Sequence, residues 1–121
     1  MWNSPILLLN TIGRKTGQVR TNPLLYLKDG ETIVLVASYG GAPTHPIWWL
    51  NLRAHPQAEI EIGSQKSTVI ARQADEEERQ RLWPLLVAMF PNYAEYQKKT
   101  TREIPVILLQ PQLVKSAGTS R

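Results

Sequence analysis

The order of strand-like and helix-like segments constrains the fold of this chain most strongly. Three runs rich in apolar and β-branched residues come before any helical pattern: Ile6 to Asn10, Gln18 to Leu27 and Thr32 to Ala37. A βαβ fold needs a helix between successive parallel strands, and none separates these runs. We therefore expect an antiparallel meander instead of a doubly wound sheet, with the first run buried on both faces and a hairpin turn at Lys28-Asp29-Gly30 between the second and third runs.

The rest of the chain continues with helices and a second hairpin. A loop rich in glycine and proline, Ser38 to Pro46, leads into a predicted helix that ends near Ala54. The remaining predicted elements are strands at 58–62 and 66–72, a helix capped by Asp75 and ending at Met89, a short helix capped by Asn92 and ending near Thr100, and a strand at 104–109. Six strands with peripheral helices predict an α+β fold built on a small antiparallel barrel.

Length and composition predict a single domain. A chain of 121 residues with 42% hydrophobic content fits one core, which we place in residues 1–111, with a disordered tail at 112–121. The absence of cysteine excludes disulfides, thiolate metal sites and cysteine nucleophiles, and is compatible with the cytoplasm. No apolar run approaches the ~18 residues of a membrane span, and the start has no signal-peptide pattern.

A basic, glycine-containing segment stands between the first two strand-like runs. Arg14 and Lys15 lie between Gly13 and Gly17, and Arg20 follows; we name residues 13–20 the cationic loop. Glycines let the backbone approach a ligand closely, and these cations suit phosphate or carboxylate. The net charge of +4 favours an anionic partner without implying nucleic acid. The spacing also differs from that of a nucleotide-binding P-loop.

Three motifs in order carry a family resemblance. They read LLLNTIGRKTGQVRTNPL, VASYGGAPTHPIWWLNL and FPNYAEY, within a match that extends from Ile6 to Pro111. Together they resemble the deazaflavin-dependent nitroreductases, actinobacterial oxidoreductases that use coenzyme F-420. The resemblance implies a split β-barrel, reduced deazaflavin as hydride donor, and an electron-poor acceptor such as a quinone or nitroaromatic compound.

The resemblance further implies a coenzyme site in two parts. The coenzyme's phosphate and acidic glutamyl tail would lie on Arg14, Lys15, Thr16, Arg20, Thr21, Asn22 and Pro23. Its ring would lie along Val36, Ala37, Ser38, Tyr39, Ile47, Trp48, Trp49, Leu50 and Asn51. From the residues alone, tryptophans at the start of a helix more often belong to a core. Adjacent helical positions point about 100° apart, so one tryptophan can face the core and the other a pocket.

Ser38, Tyr93 and Tyr96 are the candidate catalytic residues that the resemblance implies. Tyr93 and Tyr96 share a helix face, and the residues alone are equally compatible with simple packing of that helix on the barrel. The resemblance places them over the acceptor as a lid and as hydrogen-bond donors, with Tyr93 also at the coenzyme. The sequence departs from the family pattern at two positions: Tyr39 stands where relatives often have lysine, and Phe90 lacks the hydroxyl of a nitroimidazole-activating relative.

These observations predict an enzyme that transfers a hydride from reduced F-420 to a quinone or nitroaromatic acceptor without a metal. Two alternatives stay open: a split-barrel flavoprotein that uses FMN, and a non-enzymatic basic module that binds nucleic-acid phosphates. We expect no nucleic-acid partner, a cytoplasmic location, and a solvated His45. Peripheral membrane association through a segment before Met1 and the oligomeric state stay open at this point.

Overall fold

A computed structural model describes residues 5–112. Its elements are β1 (Ile6–Ile12), β2 (Val19–Leu25), β3 (Leu27–Asp29), β4 (Thr32–Val36), α1 (Ile47–Ala54), β5 (Gln57–Ile62), β6 (Gln65–Gln73), α2 (Glu76–Met89), α3 (Asn92–Lys98) and β7 (Val106–Pro111). A short 3-10 turn occupies Tyr39–Gly41. Apart from Gln112, the predicted tail lies outside the described residues.

The strands form one antiparallel sheet in the order β2-β1-β5-β6-β7-β4-β3. The prediction of antiparallel pairing and of both hairpins is therefore confirmed. The described part of the chain has seven strands where six were expected, because the second run breaks at Tyr26 into β2 and β3. The expected meander is wrong: β2 and β3 lie at opposite ends of the sheet, so the β1-β2 hairpin and the β3-β4 hairpin are separated by the three strands β5, β6 and β7.

The inner face of the sheet curls around one apolar core. Side chains from β1, β4, β5, β6 and β7 meet there, and α1 adds its apolar face at the mouth of the curl. The buried members are Leu7, Leu9, Ile33, Leu35, Ala37, Trp48, Trp49, Leu52, Ala58, Ile60, Val69, Ala71, Ile107 and Leu109. Burial of this many large side chains supplies the main driving force for the curled sheet and fixes α1 against it.

A second apolar cluster covers the outer face of β4 and β7. Val34, Val36, Val106 and Leu108 pack there against Leu82 and Leu86 of α2, and against Tyr93 of α3. These two strands are consequently buried on both faces. The prediction that β1 is buried on both faces is wrong, because no helix of the described residues covers its outer side; its burial alternates, and Ile6 is 49% exposed.

The ends of α2 follow from its sequence. Asp75 accepts a hydrogen bond from the Glu78 amide, and Glu78 accepts one from the Asp75 amide, so the predicted cap is confirmed as a capping box. Both Glu78 carboxylate oxygens also accept hydrogen bonds from Arg72 of β6, at 2.8 and 2.7 Å. Asn92 is the first residue of α3 rather than its cap, because the helix begins directly after Pro91.

The Arg72–Glu78 pair predicts a defined pH dependence of stability. Hydrogen bonds from Arg72 and from the Asp75 backbone lower the pKa of Glu78 to about 2. A lowered carboxylate pKa stabilises the fold fully above the ordinary value of 4.5, and this contribution is lost as the pH falls through about 2. In Glu78→Gln, which keeps a cap acceptor but removes the charge, we expect urea denaturation to give about 1 kcal/mol less stability at neutral pH.

Glu77→Gln is the matched control, because Glu77 lies in the same helical turn and forms no side-chain hydrogen bond within residues 5–112. The difference between the two variants should decrease as the pH is lowered. Equal stability of the two variants at neutral pH would contradict the assignment.

Candidate active site

Two neighbouring cavities open where α1 meets the sheet. The larger, which we name the ring cavity, has a volume of about 650 Å³. The smaller, the cationic cavity, has a volume of about 250 Å³ and is lined by the cationic loop together with Ile47 and Asn51. Ile47 lines both cavities. The two predicted parts of the site are therefore neighbours, joined at the first residue of α1.

The cationic loop is a tight turn that requires its glycines. The Gly17 amide donates to the Gly13 carbonyl at 2.8 Å, and the Gly13 amide donates to the Gln18 carbonyl at 2.7 Å. A Cβ on Gly13 would lie 2.8 Å from Thr16 Oγ1, and Gly17 has a φ of +75°. Alanine would be crowded at the first position and strained at the second. The glycines therefore set the loop's shape.

The loop's cations are left without carboxylate partners. Arg14, Lys15 and Arg20 are exposed, and among residues 5–112 none of them forms an ion pair. Arg14, Lys15, Thr16 and Arg20 line the cationic cavity. Three positive charges around a concave surface create an attractive potential for an anion.

Asn51 holds the loop to α1. Its side chain is 2% exposed; Oδ1 accepts a hydrogen bond from the Arg14 amide, and Nδ2 donates one to Thr11 Oγ1, each at 3.1 Å. The amide of Asn51 is thus engaged with the protein itself. The residue fixes the position of the cationic loop relative to the helix that enters the ring cavity.

The strand after the loop contributes to both faces of the sheet. Asn22 and Pro23 line the ring cavity. Thr21 instead donates a hydrogen bond to Asn10 Oδ1 at 2.6 Å, on the exposed side, and lines neither cavity. The structure therefore separates Thr21 from the other predicted residues of this segment.

One wall of the ring cavity comes from the end of β4 and the start of α1. Val36, Ser38, Tyr39, Ile47 and Trp48 line it. Three other residues predicted for the ring site line neither the ring cavity nor the cationic cavity. Ala37 is fully buried, Trp49 belongs to the core, and Leu50 is half-buried. Both tryptophans are buried in the core, and of the two only Trp48 also lines the ring cavity.

An aromatic trio forms the opposite wall. Phe90, Tyr93 and Tyr96 line the ring cavity, with ring centroids 5.0 to 6.4 Å apart in tilted and edge-to-face arrangements. Tyr93 is 5% exposed, and burial, with a smaller effect of Tyr96, raises the pKa of its phenol to about 12. The Tyr93 hydroxyl therefore stays protonated near neutral pH and acts as a hydrogen-bond donor rather than as a base.

Ser38 belongs to the first of these walls and follows the end of β4 by two residues. It is 8% exposed, and within residues 5–112 its hydroxyl forms no hydrogen bond with the protein, so it is available to a ligand. Its neighbour Tyr39 is 58% exposed and has a φ of +48°, a backbone conformation that a non-glycine residue seldom adopts. The loop backbone is therefore held in an unusual shape where it meets the cavity.

Sequence reasoning missed Arg102, which lies between α3 and β7. Its guanidinium contacts the loop that carries Ser38, and Arg102 Nη1 lies 3.0 Å from His45 Nδ1. The expectation that His45 is solvated is wrong, because this ring is half-buried against Arg102. Burial, followed by the charges of Arg102 and Arg53, lowers the pKa of His45, so the ring is neutral at neutral pH and accepts from Arg102.

Several apolar residues of the ring cavity were also missed. They are Ile6, Leu24, Leu25, Leu35 and Pro46, with Gly40 in the same lining. In the sequence, an apolar residue that lines a cavity cannot be distinguished from one that is buried in the core. The described residues contain no group of three His, Asp or Glu side chains that could hold a metal, and no helix among them is long and apolar enough to cross a membrane.

Comparison with known proteins gives the family. The family model for F420H(2)-dependent quinone reductase matches residues 1–111. An F420H(2)-dependent quinone reductase of Mycobacterium tuberculosis is 43% identical over 108 residues, which cover 87% of this chain and 72% of the relative.

Two solved structures are similar in both sequence and fold. One is an F420-H2 dependent reductase, FDR-A, with 40% identity and a TM-score of 0.80 over 88% of this chain and 94% of the other. The second is described as a domain-swapped dimer, with 40% identity and a TM-score of 0.80 over 88% of this chain and 80% of the other. These matches confirm the predicted split-barrel fold and the predicted relationship: the chain belongs to the F420H(2)-dependent quinone reductase family.

Proposed function

We propose that the two cavities form one site in which reduced coenzyme F-420 passes a hydride to a quinone or another electron-poor acceptor. Family membership makes the chain a deazaflavin-dependent reductase; the assignment of its residues is our proposal. One observation carries it: a cationic cavity whose basic side chains form no ion pair within residues 5–112 adjoins a larger apolar and aromatic cavity, and Ile47 lines both.

The residues present fit this coenzyme. Its flat tricyclic ring suits the walls formed by Val36, Ile47 and Trp48, and a volume of about 650 Å³ lies within the usual range for small-molecule sites. Its phosphodiester and glutamyl tail suit Arg14, Lys15 and Arg20, whose charges no carboxylate neutralises within residues 5–112. Thr16 adds to the lining of the cationic cavity, and Asn22 and Pro23 add to that of the ring cavity.

The chemistry that the bound coenzyme supplies is the transfer of a hydride from its C5 position to the acceptor. For a quinone, one proton must also reach an acceptor oxygen, and the product is a hydroquinone. Negative charge develops on that oxygen during transfer, and donors placed beside it stabilise the charge. Ser38 and Tyr93 can donate hydrogen bonds from opposite walls, while Tyr96, half-buried, covers the acceptor side.

The raised pKa of Tyr93 restricts its role. A phenol with a pKa of about 12 donates a hydrogen bond readily but releases its proton reluctantly. Water is then the proton source, and the Ser38 hydroxyl passes the proton to the acceptor oxygen. The chain's own contribution is to orient the two reactants and to stabilise the oxyanion.

An FMN site and a nucleic-acid site explain the structure less well. FMN has a phosphate but no acidic tail, so it leaves part of the cationic loop without a partner. Nucleic-acid binding uses exposed aromatic stacking positions, whereas Trp48, Trp49 and Tyr93 are buried. Family membership independently favours the deazaflavin over both alternatives.

Removing two charges of the cationic loop should weaken coenzyme binding. In Lys15→Ala/Arg20→Ala, we expect the Kd for F-420, measured by quenching of tryptophan fluorescence, to rise roughly 30-fold, which corresponds to ~1 kcal/mol for each lost charge. Lys28→Ala/Lys66→Ala is the control, because it removes the same net charge from exposed positions outside both cavities. Equal Kd values for the two double variants would refute the assignment. Titration with FMN alongside tests the flavoprotein alternative.

Ser38 and Tyr93 should affect turnover more than coenzyme affinity. For Ser38→Ala, we expect kcat for the oxidation of reduced F-420 by menadione, followed by the coenzyme's absorbance, to fall about tenfold. Tyr93→Phe should lower kcat by a smaller factor, because it removes one hydrogen bond and keeps the ring packing. The coenzyme Kd should change less than about threefold in both. Wild-type kcat in Ser38→Ala would remove this residue from the mechanism.

Quaternary structure and membrane contact remain predictions. The chain matches a domain-swapped dimer closely, and we propose self-association for this chain as well. Multi-angle light scattering at micromolar concentration should then give twice the mass of one chain; a single-chain mass would contradict this. Peripheral membrane association predicts co-sedimentation with anionic vesicles, and protein that stays wholly in the supernatant would exclude it.

A further inference from the structure

Arg102 connects the two walls of the ring cavity, although it lines neither cavity. We name residues 37–45, which join β4 to the start of α1, the serine loop. We propose that Arg102 is a positioning residue for hydride transfer, because its guanidinium holds the serine loop in register with the aromatic wall on α3. This inference rests on the proposed function and concerns a side chain that lies outside the coenzyme site.

The guanidinium contacts the serine loop at four atoms. Nε donates to the Ala42 carbonyl at 2.9 Å, Nη2 to the Ser38 carbonyl at 2.8 Å, and Nη1 to the Ala37 carbonyl at 3.3 Å. Nη1 also lies 3.0 Å from His45 Nδ1. These partners are spread over nearly the whole loop, so one side chain fixes both ends of a segment with little regular secondary structure.

No carboxylate competes for this guanidinium. Within residues 5–112, Arg102 forms no ion pair, and its hydrogen-bond partners are three carbonyls and a neutral imidazole. A planar fork of five donors suits several acceptors at once, whereas a lysine ammonium is a point donor. The chemistry of this contact therefore specifies arginine rather than a positive charge.

Arg102 is itself held by α2 and α3. Gln97 of α3 donates to the Arg102 carbonyl at 2.8 Å and accepts from the Ile104 amide at 2.9 Å. Arg79 of α2 donates to Gln97 Oε1 at 3.3 Å and to the Ile104 carbonyl. The backbone around Arg102 is consequently fixed to the helices that carry the aromatic wall.

The loop and α3 also touch directly at Gly41. Gly41 has a φ of +82°, and a Cβ built on it would lie 2.7 Å from the Tyr96 carbonyl. Two residues earlier, Tyr39 is held at a φ of +48°, a conformation that costs of order 1–3 kcal/mol and needs the surroundings to maintain it. We infer that the Arg102 contacts maintain this shape, which sets the position of Ser38 relative to Tyr93.

The test compares Arg102→Met, Arg102→Lys and a matched control. Arg72→Met removes an arginine that pairs with Glu78 on the outer surface, away from the ring cavity. For Arg102→Met, we expect kcat with menadione to fall about tenfold, while the Kd for F-420 stays within about threefold of wild type, since the cationic loop is unaltered. Arg102→Lys should recover only part of kcat, and Arg72→Met should keep wild-type kcat.

Hydrogen exchange without coenzyme gives a second readout. The Gly41 amide donates to the Ser38 carbonyl at 2.9 Å, and the Ala42 amide donates to the Tyr39 carbonyl at 3.1 Å. Both amides should exchange about tenfold faster in Arg102→Met, while exchange in β1 and β5 stays unchanged. The expected pattern is thus local release of the serine loop in an otherwise folded protein.

Three results would overturn the inference: kcat of Arg102→Met equal to that of Arg72→Met, unchanged exchange at Gly41 and Ala42, or an equal loss of coenzyme binding and kcat in an Arg102→Met protein that is folded. If Arg102→Met does not fold, Gly41→Ala separates the loop from Tyr96 with Arg102 intact and must show the same loss of kcat with retained Kd. A wild-type protein that neither binds F-420 nor oxidises it with menadione would refute the proposed function instead.

Discussion

Burial of α1 in the mouth of the curled sheet is the constraint on which the rest of the structure depends. Trp48, Trp49 and Leu52 enter the same core as the inner side chains of five strands. Once these side chains are buried, the remaining positions of α1 have no freedom of placement. Ile47 must lie between the two cavities, and Asn51 must face the cationic loop, where it binds the Arg14 amide and Thr11. Hydrophobic packing thus fixes the relative position of charge and ring pocket.

Local sequence signals predicted the elements well and their arrangement less well. The hairpin at Gly30, the cap at Asp75 and the antiparallel pairing all follow from nearest neighbours along the chain. The order of strands does not, because Leu7 and Leu35 meet in the core through contacts that no local pattern encodes. The prediction that β1 is buried on both faces was wrong for the same reason. An apolar run indicates burial, but the position of α2 decides which strands are also covered on their outer face, and these strands are β4 and β7.

The candidate site divides in a similar way. The cationic loop could be recognised because glycine spacing and charge are local, and the family resemblance added the ring segment. None of Ala37, Trp49 and Leu50 lines the ring cavity, because Ala37 and Trp49 are buried in the core and a contiguous motif does not show which of its residues face a cavity. The role of Arg102 could not be predicted from the sequence, because an arginine in a polar stretch does not indicate which backbone carbonyls will surround it in the fold. Only the fold brings Arg102 into contact with Ala37 and Ser38, which precede it by 65 and 64 positions in the sequence.

The aromatic trio has a consequence for how this scaffold can diversify. Phe90, Tyr93 and Tyr96 come from one stretch of the chain, residues 90–96, whereas the cationic loop and α1 come from the other half of the chain. Phe90 and Tyr96 are only half-buried, so their replacement disturbs the core little. In the proposed site, the wall assigned to the acceptor can therefore change during evolution while the residues assigned to the coenzyme stay constant, and a shared hydride source can serve acceptors of different size and polarity.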